Sequence, residues 1–296
     1  MDALRHSDAI RRFRRLAVMH QGDATVWKTG LLISLALTTI ANAASAQDMS
    51  KLPDGEITRS GRYSAWLVGP TNIYAHGALG DAIEAGGFVI EQNGSRLLFR
   101  LPADQVFEDR RVRLADVDGD GSPEALIVRA DLTRGASLVL YKIKEDSIEL
   151  MAESEPIGQR NRWLNPVGIA DFSGSGELLA AAVVTPHLSG SLRFYRIEGK
   201  RLVNLGGIDG VTNHINGSRD LDLSHVADLD GDGSMEIVLP SLDRTRLVAV
   251  SVRQGHAKIE MEWQVPSPIQ RMSPASDGTV ELELANGQRP IVELQK

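Results

Sequence analysis

The feature that most narrows what this chain can fold into is a nine-residue acidic loop that occurs twice. Asp116-Val117-Asp118-Gly119-Asp120-Gly121-Ser122-Pro123-Glu124 and Asp228-Leu229-Asp230-Gly231-Asp232-Gly233-Ser234-Met235-Glu236 share every acidic and glycine position. Each follows an alanine (Ala115, Ala227) and leads into an apolar run. A shorter copy, Asp171-Phe172-Ser173-Gly174-Ser175-Gly176-Glu177, lies between them after Ala170. The first aspartates, Asp116, Asp171 and Asp228, stand 55 and 57 positions apart. Self-similarity at such a period is the mark of a repeat architecture.

Short strands fill the space between loops. Helical periodicity is almost absent after residue 60; instead, runs rich in Val, Ile and Leu are bounded by turn residues. They cover 88–91, 96–101, 125–129, 138–143, 148–152, 178–184, 192–197, 202–205, 237–240, 247–252, 258–263, 280–284 and 291–294. Asn93-Gly94 and Asn286-Gly287 are hairpin signals, because both residues tolerate the positive φ that a tight turn demands. The order strand, loop, strand, turn, strand recurs, as in Ser137-Leu138-Val139-Leu140-Tyr141-Lys142-Ile143 against Ser191-Leu192-Arg193-Phe194-Tyr195-Arg196-Ile197. Fainter echoes precede the first and last strands, at residues 80–85 and 276–281. The expected fold is all-β: a β-propeller of about five four-stranded blades, each of about 50 residues. The stretch 65–68 is expected to complete the last blade and close the ring. A sandwich or open solenoid is the alternative.

Asp-x-Asp-Gly-Asp-Gly-x-x-Glu after a short apolar strand, repeated at blade spacing, resembles the FG-GAP/VCBS repeats of integrin-α-type β-propellers and many exported bacterial proteins. The resemblance runs from about residue 60 to the end and is carried by three units. It implies propeller blades and calcium loops. It implies no single activity, since such repeats serve adhesion receptors, lectin-like modules and accessory domains of enzymes. The chain departs from the usual pattern in closing its loops with Glu124 and Glu236, where aspartate is typical.

The loop spacing has its own chemistry. Carboxylates at positions 1, 3 and 5 converge because glycines at 4 and 6 allow the turn; a backbone carbonyl at 7 and a carboxylate at 9 complete a shell of hard oxygens. That set suits Ca2+. The expected ligands are Asp116, Asp118, Asp120, the Ser122 carbonyl and Glu124 at one site, and Asp228, Asp230, Asp232, the Ser234 carbonyl and Glu236 at the other. Four carboxylates this close repel one another without a cation, so metal binding is expected to be coupled to folding. The middle loop offers only Asp171 and Glu177 with Ser173 and Ser175. We read it as a turn held by serine hydroxyls, with weak calcium binding as the alternative. The role expected of the metal is structural.

Uncharged residues 29–46, flanked by Lys28 and closed by Ala44-Ser45-Ala46, read as a secretory signal cleaved after Ala46. Its apolar part is shorter than the roughly 20 residues of a spanning helix. Residues 1–46 are thus a signal with an extended N-terminus (Met19 being an alternative start), 47–60 a polar lead-in and 61–296 the repeat domain. The expected location is periplasmic or extracellular. The net charge of −7 is concentrated after the basic N-terminus and argues against a nucleic-acid partner. The absence of cysteine excludes disulfides, thiol catalysis and Cys-based zinc sites.

Three histidines fall in similar polar loops: His76, His187 and His214. If such loops meet on one face, with Arg162, Trp163 and Arg219 beside them, they form the natural ligand site of a propeller. The alternative is that they satisfy loop backbones. Arg110, Arg111 and Arg113 read as a solvated blade edge. No nucleophile elbow, zinc-protease helix, phosphate loop or dinucleotide fingerprint is present. The expectation is a non-enzymatic, calcium-stabilised module that binds a protein or glycan. A carbohydrate-active or other hydrolytic enzyme with its site in the His76, His187 and His214 loops is the alternative.

Overall fold

The computed structural model describes residues 50–275 and 278–294. The signal segment with its Ala46 junction lies outside the described residues, as do Ser276 and Asp277 of the last echo. Among the described residues no helix is long and apolar enough to cross a membrane.

The chain is all-β and runs as successive antiparallel meanders. The first comprises β1 (Thr58–Ser60), β2 (Tyr63–Thr71), β3 (Glu84–Gln92) and β4 (Ser95–Arg100), with a 3-10 turn, Gly77–Leu79, between β2 and β3. β5 (Gln105–Phe107) then bridges β3 to the second meander. That meander holds β6 (Arg113–Ala115), β7 (Glu124–Asp131), β8 (Gly135–Ile143) and β9 (Ile148–Glu153). The third holds β10 (Leu164–Ala170), β11 (Leu179–Val184), β12 (Ser191–Glu198) and β13 (Arg201–Asp209). The fourth holds β14 (His225–Ala227), β15 (Glu236–Pro240), β16 (Arg246–Arg253) and β17 (His256–Gln264). The last has three strands, β18 (Ile269–Pro274), β19 (Thr279–Leu284) and β20 (Ile291–Glu293).

Period two explains how the meanders stack. Side chains alternate across a strand, so a sheet with a core on each face needs apolar residues at every position. On β8, Val139, Tyr141 and Ile143 enter the core shared with the first meander, while Ala136, Leu138 and Leu140 enter the core shared with the third. On β16, Val248, Val250 and Val252 face the third meander, and Leu247 and Ala249 face the fifth. β19 alternates instead: Val280, Leu282 and Leu284 are buried and the intervening residues are not. Its sheet packs on one side only. Phe88, Phe99, Phe107 and Tyr141 cluster in the first of these cores with ring centroids 4.6–6.3 Å apart.

One expectation is corrected. Residues 65–68 belong to β2, paired with β1 on one side and β3 on the other, with Leu67 opposite Phe88. Both edges of β2 are thereby occupied, and Ala65 and Leu67 enter the first core, so these residues do not complete the last meander. Among the described residues no hydrophobic cluster joins the first and last meanders.

Candidate functional site

The two long acidic loops are folded on their own carboxylates. Asp116 accepts the Gly119 and Gly121 N–H groups (2.8 and 2.9 Å). Asp118 Oδ1 accepts from Asp120 N–H at 3.3 Å and Asp120 Oδ1 from Ser122 N–H at 2.8 Å. Glu124, fully buried, reaches back so that its Oε2 accepts from Val117 N–H at 2.9 Å. The second loop repeats this bond for bond: Asp228 with Gly231 and Gly233, Asp230 with Asp232, Asp232 with Ser234, and Glu236 with Leu229. Gly119, Gly121, Gly231 and Gly233 all have positive φ, which the turn requires.

Carboxylate oxygens of Asp116, Asp118 and Glu124 lie within 4.8 Å of one another, as do those of Asp228, Asp230 and Glu236. Each trio could hold a metal ion, and an all-oxygen donor set suits a hard divalent cation. Burial pushes the Glu124 and Glu236 carboxyls above the usual range. Asp120 is held below it by Lys142, and Asp232 by Ser234. The Ser122 hydroxyl accepts from Tyr63 O–H (3.2 Å), and the Ser234 hydroxyl donates to Asp232 (2.5 Å). The middle loop differs. Asp171 accepts from Ser173, Ser175 and Gly176, the Ser173 and Ser175 hydroxyls bond each other at 2.8 Å, and Glu177 is engaged by Arg196 at 2.9 Å.

A second constellation forms where connecting loops meet. Trp163, just before β10, donates its indole N–H to the Glu108 carbonyl at 2.8 Å. Its ring stacks on His187 and meets His214 edge-on, with centroids 5.9 and 4.9 Å away. His214 Nε2 lies 3.1 Å from the Ser218 carbonyl, which can only accept, so that nitrogen carries the proton. His214 Nδ1 therefore accepts from His187 Nε2–H at 2.8 Å. Both imidazoles are neutral: burial pushes each pKa down to about 4. His76 Nδ1 and Glu108 Oε1 share a short hydrogen bond, while Glu108 Oε2 is buried without a partner. Burial pushes the Glu108 carboxyl up to about 7 against the opposing pull of His76. The His76 and Ala75 N–H groups both donate to Glu84, another buried carboxylate, at 2.8 and 3.2 Å.

The structure thus brings His187, His214 and Trp163 into contact and links His76 to them through Glu108. Arg162 stands apart, its guanidinium donating to the Asn161 carbonyl at 3.1 Å. Arg219 joins distant loops, bonding Asp54 at 3.2 Å and Asp81 at 2.9 Å. Arg110, Arg111 and Arg113 are not a solvated edge. Arg110 donates to the Asp54 and Arg219 carbonyls, Arg111 pairs with Asp222, and Arg113 pairs with the buried Asp109 at 2.7 Å. Their partners lie up to 111 residues away in sequence, which is why the triplet alone looked solvated. Sequence reasoning also missed Glu108 and Asp109, whose setting beside three arginines resembles an ordinary charged turn. It missed Asn165 and Asn213 too, whose side-chain amides donate to each other's backbone carbonyls at 3.2 and 3.1 Å. Beside the imidazole pair opens a cleft of about 330 Å³, lined by His187, Leu188, His214, Asn216, Leu242 and Arg244 among others.

No family model matches the sequence, and no curated protein matches it. Among solved structures, the chain is similar to a protein of unknown function from Bacteroides caccae, at 12% identity and a TM-score of 0.38 over 68% of this chain and 65% of that one. It is also similar to the exotype rhamnogalacturonan lyase YesX, at 13% identity and 0.37 over 80% and 57%. A third is the Bacillus licheniformis rhamnogalacturonan lyase PL11, at 16% identity and 0.35 over 80% and 58%. The chain therefore spans less than two thirds of the length of each.

Proposed function

We propose that the chain is an exported β-propeller of the FG-GAP/VCBS kind, with calcium at its two long acidic loops and a protein- or glycan-binding face on its connecting loops. The observation that carries this reading is that the 186–188 loop of the third meander, the 212–216 segment and the 242–244 loop of the fourth meet on one cleft, and that the first two meanders hold that segment in place. The 72–83 loop of the first meander bonds the 212–222 segment through Gly217 N–H to Ala78 (2.9 Å) and through Arg219 to Asp81. Arg110 and Arg111 fasten the same segment from the second meander. A scaffold that ties mobile-by-nature loops together and leaves Leu188 exposed at a cleft of mixed polar and apolar lining presents a fixed surface to a partner. His214, only 2% exposed with both nitrogens engaged, belongs to the framework of that surface. His187, Leu188, Asn216 and Arg244 are the groups a ligand would meet.

Binding to a glycan array and to immobilised envelope proteins tests the reading, with wild type compared to a Leu188→Asp/Asn216→Ala variant. The expected result is specific retention by wild type, lost in the variant at unchanged melting temperature. Equal retention by both proteins, or none by wild type, overturns the binding face.

A hydrolytic or lyase activity is the second reading, favoured by one observation: a fully buried glutamate with a pKa near neutrality hydrogen-bonded to the partly exposed His76. Such a pair can orient a base or hold a proton. Depolymerisation of acidic polysaccharides by wild type, abolished in Glu108→Gln, would favour it over the binding module.

A further inference from the structure

Each long acidic loop uses five of its eight carboxylate oxygens on its own N–H groups; the other three meet a cation from the same chain. Lys142 lies on β8 next to Tyr141, which pairs with Ala125, so it stands across the sheet from Glu124. Its ammonium sits 2.7 Å from Asp118 Oδ2, 2.6 Å from Asp120 Oδ2 and 2.8 Å from Glu124 Oε1. The other oxygens of these three residues accept backbone N–H groups. In the fourth meander Arg253, at the end of β16, lies 3.1 Å from Asp230 Oδ2, 2.6 Å from Asp232 Oδ2 and 3.3 Å from Glu236 Oε1. The same three oxygens of the repeat are engaged twice, by a lysine in one unit and an arginine in the other. In the third meander Arg196 on β12 engages only Glu177 of its loop, an exposed carboxylate, through both of its oxygens. Glu124 and Glu236 supply the reason: an ionised carboxylate withdrawn from water needs a cation within reach.

We infer that Lys142 and Arg253 are the resident cations of the two long loops and that calcium binds there only by displacing them. The inference rests on the calcium reading of these loops. It revises the expectation of four bare carboxylates that cannot fold without metal: each loop carries its own counter-charge. The two sites then differ. Lys142 is a single hydrated point charge, whereas Arg253 engages its loop through two nitrogens of a planar fork and is harder to dislodge. The Asp118 site fills at lower calcium than the Asp230 site.

Titration of the full chain with CaCl2 by calorimetry, together with thermal melts in EDTA, tests this on wild type, Lys142→Met and Arg253→Met. Each variant is expected to bind calcium at its altered loop at least about tenfold more tightly than wild type. Each should also melt lower than wild type in EDTA, with calcium restoring the loss. The exchange variants Lys142→Arg and Arg253→Lys keep a cation in each loop, and so guard against loss of folding; they should reverse the order in which the sites fill. Equal affinities in wild type and both methionine variants, or an unchanged filling order, overturn the displacement and leave the calcium reading standing. No calcium binding by any of them overturns both.

Discussion

Glu108, His187 and His214 titrate far from their ordinary ranges, and they pull stability in opposite directions with pH. The folded chain keeps a proton on Glu108 up to about pH 7, whereas an ordinary glutamate releases it near 4.5. Over that interval the folded state binds more protons, so this contribution to stability falls as pH rises. His187 and His214 stay neutral in the fold down to about pH 4, whereas the unfolded chain protonates them near 6.5. There the unfolded state binds more protons, so their contribution falls as pH falls through the window from 6.5 to 4. Two imidazoles outweigh one carboxyl, and acidification from pH 6.5 should destabilise the protein. His214, the more buried of the pair, accounts for on the order of 3 kcal/mol across the window. Urea denaturation at a series of pH values should show a flatter acid limb in His214→Gln than in wild type. An equally steep limb would mean that the imidazole pair is not what senses the acid.

At the level of the element, Gly190 shows how a turn positions the cleft. It closes the β11–β12 loop with φ of 58°, and a Cβ there would run into the Val211 carbonyl oxygen and the Leu242 side chain. Val211 N–H in turn donates to the Gly190 carbonyl at 3.0 Å, so the loop carrying His187 is keyed to the segment carrying His214. Gly190→Ala should cost about 3 kcal/mol or more, because the added Cβ meets a backbone oxygen as well as an unfavourable φ. Gly199→Ala, also at positive φ (59°) but with open space around it, should cost about 1 kcal/mol. Equal losses in urea unfolding would remove the close approach as the cause. The elements themselves were unequally legible. Each of the thirteen apolar runs read from the sequence falls largely within an observed strand, because strands packed on both faces are apolar throughout. β6 and β14 escaped because three residues carry no pattern, β10 because Pro166 and Gly168 interrupt it, and β18 because only Ile269 and Met272 are buried. The acidic loops were legible for the opposite reason: all their ligand chemistry lies within nine consecutive residues. The His76–Glu108 pair, the ties of Arg110, Arg111 and Arg219 and the cations at Lys142 and Arg253 join residues 17 to 165 positions apart, and no local pattern announces them.

Across the whole described chain, five meanders share four intervening cores, and the loops of the first reach the segment that follows the third. Polar loops on this frame do two jobs. One set is drawn together by Arg110, Arg111 and Arg219 beside the face we propose for a ligand; the other holds carboxylates around a lysine or arginine, the cations that we propose calcium displaces. Diffraction data from crystals grown in about 10 mM CaCl2, collected at a wavelength sensitive to calcium, decide whether calcium takes their place. The expected result is anomalous density against Asp118, Asp120 and Glu124 and against Asp230, Asp232 and Glu236, with Lys142 and Arg253 turned away from those oxygens. Loops without such density, and with both basic side chains still seated on the carboxylates, would contradict it.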